Sequence, residues 1–550
     1  MAGNMRVGRA LIDRLAAGGV DTLFGVPGKQ TLPLNEAIEA RDDIRFVLAR
    51  HETAVTHQAW GYAQASGDPA GTVVVPGPGD MNAMNGLKNA YNDCTPLIHL
   101  AVETSPEIRG GDGIHETPPD TYDNVVKENV LVDSPASTLV ELQRAIAAAR
   151  TPPRGPVRVG VPKNFLGKDV PLARPGTYPT EGVAGVDGEA IGEAADLLAG
   201  ADTPVVLAGG GVRAAGAGAK VRSVADRLGA PVVTTYKGKG VVPDRHGLVA
   251  GTLSGSAPPE LFDCLSASDA VLAVGTDFDA VSTRAWSIEV PAEIVHVTLS
   301  PGDLGTGYDP SVGIVADAGD ALAALSGALK RREPAGSDGR ERAAVVRAAV
   351  RERIEPLLGD DPPVTSVRAL RAIRTALPDE AVVTADAGGF RVWGLNTFAA
   401  TGPRRYVNTG SWASMGTAVP AAIGAQTATP DTGVVALTGD GGLLMCVHEF
   451  HTAVAEDLPV TVVVFNNSDY AIISEAAGRR FDLPEKAYGW ADAPLDFARI
   501  AGGMGMEAAR AETPAGIREC LSAALESDEP TLVEIPTDPD EPQAGTWMAE

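Results

Sequence analysis

Cysteine, lysine and long apolar runs are all scarce in this sequence. Its four cysteines, Cys94, Cys264, Cys446 and Cys520, lie far apart in 550 residues and form no CxxC pair. That leaves no disulfide framework, and a reducing, cytoplasmic setting is the simple inference. No apolar run approaches the ~20 residues needed to span a bilayer, so no membrane protein is expected. The first twenty residues lack a continuous apolar segment and read as an amphipathic helix, not a secretory signal. Positive charge is short as well: 45 basic side chains face 71 acidic ones, a net charge of -26. A surface this negative repels phosphate backbones, which argues against a nucleic-acid binder. Lysine accounts for only 10 of the basic residues and arginine for 35. Both a high-salt cytoplasm and a GC-rich genome would produce that balance.

What is present is globular composition, 44% hydrophobic and 21% charged. Short β-branched runs alternate with helical patterns along most of the chain. Strands are expected at 22–25, 44–50, 71–75, 96–102 and 156–161, then at 204–209, 231–235, 270–275 and 293–297, then at 380–385, 432–438, 459–465 and 530–535. Alternation of strand and helix implies parallel sheets with right-handed crossovers, and continuous apolar strands imply sheets covered on both faces. Gly/Pro-rich or charged stretches at 167–188 and 331–363 read as linkers, the second with a helix inside it. The expected fold is therefore α/β, with three doubly wound parallel-sheet domains at about 1–170, 185–330 and 360–540.

The strongest chemical signal lies in the last third. The strand TGVVALT runs into Gly439-Asp440-Gly441-Gly442, and the next strand, PVTVVVF, runs into Asn466-Asn467. Asp440 and Asn467 are thus expected at the C-terminal ends of consecutive parallel strands, where open α/β sheets bind ligands. Gly441 and Gly442 let backbone approach a phosphate, and the following helix start offers unpaired N–H groups. An acid and an amide, both oxygen donors, suit Mg²⁺, whose remaining ligands are typically phosphate and water. A metal-bridged diphosphate is the expected occupant, although Gly-Asp-Gly by itself is also common turn chemistry.

This pattern resembles the thiamine-diphosphate-dependent decarboxylase and carboligase family, which includes acetohydroxyacid synthase, pyruvate oxidase, benzoylformate decarboxylase and pyruvate decarboxylase. It is closest in pattern to the acetolactate synthase large subunits. The segments VDTLFGVPG (20–28), RHETA (50–54), GPGDMNAMNGL (77–87), GPVRVGVPKN (155–164) and SWASMGTAVPAAIGA (411–425) fall in the family's order, so the likeness covers nearly the whole chain. It implies a pyrimidine-binding first domain, a central domain and a diphosphate-binding last domain. It further implies that Asp440, Asn467 and the carbonyl of Asp469 bind Mg²⁺, and that Gly388, Gly389, Phe390, Gly441 and Gly442 surround the diphosphate. Ala413 and Met415 would hold the rings of the cofactor, although Met415 could also be plain core filler. Glu52, which could merely favour a helix dipole, would hydrogen-bond the pyrimidine N1′, so that the 4′ nitrogen can take the thiazolium C2 proton. In the family Glu52 and Asp440 meet across a subunit interface, so the resemblance implies a homodimer or homotetramer with shared sites.

The substrate side of the likeness is thinner. Lys29, after the VPG turn, could hold a 2-oxo acid carboxylate or be an exposed turn lysine. His115 could shuttle a proton to the reacting carbon or sit in a surface loop. Ile473 stands where pyruvate decarboxylases carry a glutamate, and Ala476 near where branched-chain synthases have a tryptophan. Thr298 and Ser300 replace the aspartates usual in acetohydroxyacid synthases, which counts against FAD. His448-Glu449-Phe450-His451 is one residue short of the zinc motif HExxH, so structural histidines are expected there. Gly209-Gly210-Gly211 resembles a Rossmann turn, but the next strand ends without an acid for a nicotinamide ribose. Decarboxylation of a 2-oxo acid with carboligation, acetolactate synthase-like, is the first expectation. A non-ligating decarboxylase of the benzoylformate type is second, and a nicotinamide-dependent oxidoreductase or a non-catalytic binding partner are the readings from other classes.

Overall fold

The computed structural model describes residues 4–110, 115–171, 185–291, 293–336, 338–484 and 486–544; most of the Gly/Pro-rich stretch at 167–188 lies outside them. Three six-stranded sheets are present, and every pairing within them is parallel. Their strands are buried β-branched runs such as Val434–Gly439 and Thr461–Asn466, as expected of sheets with helices on both faces. In spatial order the first sheet is Arg45–Leu48, Thr22–Gly25, Ala70–Val74, Leu97–Glu103, Val157–Pro162 and Glu128–Leu131. The third sheet repeats that order: Tyr406–Asn408, Val382–Ala385, Val434–Gly439, Thr461–Asn466, Thr531–Pro536 and Glu507–Arg510. The central sheet instead runs outward both ways from its first strand, Pro204–Ala208, in the 3-2-1-4-5-6 order of dinucleotide-binding folds. Among the described residues no helix is long and apolar enough to cross a membrane.

All the strands expected from the sequence exist. Five that were not expected, Glu128–Leu131, Val249–Leu253, Val312–Val315, Tyr406–Asn408 and Glu507–Arg510, lie at sheet edges. An edge strand has only one neighbour and often an exposed face, so its sequence carries less apolar signal. A small antiparallel pair, Asn4–Arg6 with Asp169–Pro171, brackets the first domain. The helix Gly339–Ile354 inside the second expected linker packs Ala343 and Val346 into the core of the central domain.

The first and third domains share one core. The helix Glu52–Ser66 and the helix Ala418–Ala428 cross between them, both buried along almost their whole length; the second is apolar nearly all round, whereas the first also buries Thr56, His57, Gln58 and Gln64. A helix without a solvated polar face must be enclosed. Small residues let the two backbones approach: a Cβ on Gly61 would stand 2.2 Å from the Ala421 carbonyl oxygen, and one on Gly424 would stand 1.8 Å from that of Gln58.

The first domain also buries a polar cluster at the end of its sheet. Arg158 donates to Asp80 at 2.6 Å and also to Glu103, while His99 Nε2 lies 2.9 Å from Asp80 Oδ1 and Thr117 donates to Asp80 Oδ2 at 2.7 Å. All four ionisable side chains are buried. Burial pushes the Asp80 carboxyl up, but the His99 hydrogen bond and the Arg158 charge outweigh it and hold Asp80 well below the usual carboxylate range. Such a carboxylate contributes stability that is present above its unfolded pKa of roughly 4 and is lost as the pH falls towards the depressed folded value.

Two outcomes follow from this packing. Gly424→Ala should lower the urea midpoint, by an overpacking cost of about 1–3 kcal/mol, and an unchanged midpoint would contradict the close crossing. Asp80→Asn should cost about 3–5 kcal/mol at neutral pH. The gap to the native protein should narrow as the pH drops below about 4, whereas a pH-independent gap would count against the charged network.

Candidate functional site

The third sheet changes direction between Val382–Ala385 and Val434–Gly439, and the segments leaving those two strands open onto a cavity of about 250 Å³. Such switch points at strand C-termini are where open sheets bind ligands. Asp440 begins the short helix Asp440–Leu444 and is 3% exposed. Its Oδ1 accepts from Gly441 N at 2.8 Å and its Oδ2 from Ser468 N at 2.6 Å, which ties it to the turn after the neighbouring strand. That turn carries Asn467 and Asp469, and both line the cavity. The Asn467 side-chain oxygen accepts from Asp469 N at 3.2 Å, and the Asp469 side chain is turned to Ser474 Oγ at 2.7 Å.

Charge decides what this cavity can hold. Among the described residues its lining includes Asp440, Asp469 and Glu541 but no lysine, arginine or histidine. Burial pushes the Asp440 carboxyl up to about 6, against backbone donors from Gly441, Ser468, Asn467 and Asp469 and with no cationic side chain beside it. The helices Gly389–Thr397 and Ala471–Phe481 both start on the cavity, so their free N–H groups and positive dipole ends face it. An anion would be welcomed by those helix ends and repelled by the carboxylates. A hard cation between them, taking oxygen from Asp440 and Asn467, would resolve the conflict. Room at the backbone is guarded: a Cβ on Gly441 would stand 2.3 Å from the Tyr470 ring, and one on Gly442 would stand 2.5 Å from Asp386 Oδ2.

Of the residues singled out in the sequence, Gly388, Gly389, Phe390, Ala413, Met415, Asp440, Gly442, Asn467, Asp469 and Ile473 line this one cavity. Phe390 stacks on Phe465 with ring centroids 4.7 Å apart to form one wall, and Ile473 stands half-exposed at the rim. Asp386 is the contributor the sequence reading missed. It is fully buried, accepts from Gly416 N at 3.0 Å, Thr417 N at 3.2 Å and Thr438 Oγ1 at 3.1 Å, and so fixes the Ala413–Met415 loop against the Asp440 strand. Burial raises it to about 6, opposed by those donors. An acid directly after a strand, in TADAGG, was the available signal. Glu541 and Gln543 also reach the cavity, from the segment after the last strand; Glu541 accepts from Ser366 N and Oγ.

Glu52, Lys29 and His115 do not reach it. They belong to the equivalent switch point of the first sheet. Glu52 Oε2 accepts from Asn82 Nδ2 at 3.1 Å, and His115 Nδ1 lies 3.2 Å from Gln30 Nε2. The turn 77–79 stands between them: a Cβ on Gly77 would be 2.6 Å from His115 Cα, and one on Gly79 would be 3.0 Å from Glu52 Oε1. Lys29 and His115 are exposed. One chain therefore carries two separate clusters, an acid-amide cluster on the first domain and a carboxylate-lined cavity on the third.

The central sheet has its own cavity, about 600 Å³, beside Gly210 and Gly211. Its lining includes Asp277, Asp279, Asp303 and Asp317, and its Lys237 is already paired with Asp93 at 2.9 Å. Thr298, at the end of the strand Glu293–Thr298, donates to Asp303 at 2.7 Å. Lys127 and Arg154 line the same cavity, so both signs of charge face it.

Comparison with known proteins agrees with the division seen in the fold. The N-terminal TPP binding domain of thiamine pyrophosphate enzymes matches residues 5–124, their central domain 191–325 and their C-terminal TPP binding domain 386–535. The acetolactate synthase large subunit of Parasynechococcus marenigrum is 30% identical, over 96% of this chain and 86% of its own length. A probable acetolactate synthase large subunit of Methanococcus aeolicus is 28% identical, over 97% and 92%. A probable 2-ketoarginine decarboxylase of Pseudomonas aeruginosa is 33% identical, over 84% and 82%. With all three domains matched in order along the chain, this chain belongs to the thiamine pyrophosphate enzyme family.

Proposed function

We propose that the chain decarboxylates a small 2-oxo acid with thiamine diphosphate and Mg²⁺ and joins the retained fragment to an acceptor carbonyl, as an acetolactate synthase does. The observation that carries this reading is the buried Asp440 carboxylate, which faces a cation-free cavity at two helix starts. Asp440 and Asn467 side chains and the Asp469 carbonyl would hold Mg²⁺. Backbone of Gly388, Gly389, Phe390, Gly441 and Gly442 would pack around the diphosphate, and Ala413 and Met415 would seat the rings. When bound, the cofactor supplies a carbanion at C2 and an electron sink for decarboxylation.

The protein's own task is then to supply Glu52 at the pyrimidine end. Because Glu52 lies outside the cavity of its own chain, a second copy would bring it, so the working unit is a homodimer or homotetramer with shared sites. Lys29 would take the substrate carboxylate, His115 would exchange a proton near the reacting carbon, and Ile473 would shape the acceptor side. The units follow boundaries near 1–170, 185–330 and 360–540, the setting is cytoplasmic, and Thr298 and Ser300 in place of the family's aspartates count against flavin. Non-ligating decarboxylation is the second reading, favoured by the 2-ketoarginine decarboxylase relative.

Incubation with Mg²⁺, thiamine diphosphate and a panel of 2-oxo acids tests both readings, with CO₂ and the organic product identified. A 2-hydroxy ketone product supports carboligation and an aldehyde alone supports the second reading. Glu52→Gln should cut turnover by roughly a hundredfold or more, within the range usual for loss of a positioned acid–base group. Wild-type turnover in that variant would remove Glu52 from the site.

A further inference from the structure

The His448–His451 segment, which looked like a truncated zinc motif, holds a buried carboxylate that the proposed chemistry does not use. Among the described residues there is no group of three or more His, Cys, Asp or Glu placed to hold a metal. Glu449 is 0% exposed and lies nine residues beyond Asp440, in the turn Val447–Glu449. It faces the first domain of its own chain. Its Oε1 accepts from Arg50 N at 2.9 Å, and its Oε2 accepts from Gln58 Nε2 at 2.8 Å and from Thr452 Oγ1 at 2.6 Å. Two outer contacts run the same way: Arg50 Nε to His451 Nδ1 at 2.9 Å, and Leu48 N to Glu456 Oε1 at 2.9 Å.

These partners are not scattered. Arg50 directly precedes His51, whose side chain caps the helix Glu52–Ser66 by accepting from Thr53 N at 3.2 Å. Gln58 lies on the second turn of that helix. One carboxylate therefore grips the backbone just before Glu52 and a side chain six residues after it. It fixes where the helix starts and how its first turn is rotated. A catalytic side chain must be held to about half an ångström by its supporting contacts, and a displacement of about 1 Å can cost a hundredfold in rate. Burial raises the Glu449 carboxyl, opposed by Thr452 and the backbone of Arg50 and His51.

We propose that Glu449 is a positioning residue for Glu52. The segment that follows the metal-site turn of a chain thereby sets the pose of the glutamate that the same chain presents to its partner's cavity. This rests on the reading of Glu52 given above. The chemistry of the grip predicts which substitution is tolerated. Glutamine at 449 keeps one oxygen for Arg50 N. Its amide can donate to Gln58 Oε1, which has no hydrogen-bond partner in this structure. Alanine strands both Arg50 N and the Gln58 amide in a buried site.

The test is deuterium exchange at the cofactor C2, read by quenched-flow NMR in the Mg²⁺–thiamine diphosphate holoenzyme, alongside cofactor affinity by calorimetry. Glu449→Ala should slow C2 exchange about tenfold or more, with the cofactor Kd within about threefold because the Asp440 end is untouched. Glu449→Gln should stay within about threefold of the native rate. Should the alanine variant fail to fold, Gln58→Leu removes half of the grip and should slow exchange about fivefold or more at native affinity. Native exchange in Glu449→Ala, or in Gln58→Leu where that variant is used, overturns the proposal. So does loss of affinity and exchange in equal measure, which would mark a merely structural role. Glu52→Gln is run in parallel. Native exchange in it brings down the Glu52 reading and this proposal together, whereas slowed exchange there with native exchange in Glu449→Ala brings down this proposal alone.

Discussion

A carboxylate buried without a positive partner dominates the third domain. Asp440 is enclosed, faces two further carboxylates across the cavity lining, and draws its only compensation from backbone N–H groups. Removing a charge from water is expensive unless it is paired, coordinated or neutralised. The same cavity sits at two helix starts that favour an anion. Neither feature is comfortable alone. A divalent cation held by protein oxygens beside a bound diphosphate would satisfy both, and metal and anion binding would then depend on each other.

The way the domains pack decides where the other half of the chemistry lies. The first and third sheets share one strand order, and the helices Glu52–Ser66 and Ala418–Ala428 seal their junction at near-contact distance. Glu52 opens one of those helices, and Glu449 clamps it from the third domain. A close-packed junction of this kind leaves Glu52 outside its own chain's cavity. Under the proposed function a second copy would bring that glutamate, and the glycines at the helix crossing would serve assembly as much as the polar residues do.

Most of the architecture was legible in the sequence because parallel strands buried on both faces are continuous apolar runs. Interior strands such as Pro204–Ala208 and Thr461–Asn466 announce themselves this way, whereas edge strands such as Glu507–Arg510 do not. Asp440 and Asn467 were legible because each directly ends an obvious strand, so one-dimensional order predicted their meeting. Asp386 has the same placement but was overlooked, since its work is to hold a loop from far along the chain. Glu449 was harder still. Its partners lie some four hundred residues away, and no local pattern links a turn at 449 to a backbone N–H at 50. Glu541 and Gln543 escaped because a polar tail gives no sign of folding back over a cavity.

The central claim is that a buried acid and a divalent cation together anchor the coenzyme diphosphate. Isothermal titration of the full-length protein with thiamine diphosphate, with saturating Mg²⁺ and again with EDTA, tests it most directly. The account predicts saturable binding at one coenzyme per chain with Mg²⁺ and loss of that binding with EDTA. Equal affinity under both conditions, or no heat of binding with Mg²⁺ present, would contradict it.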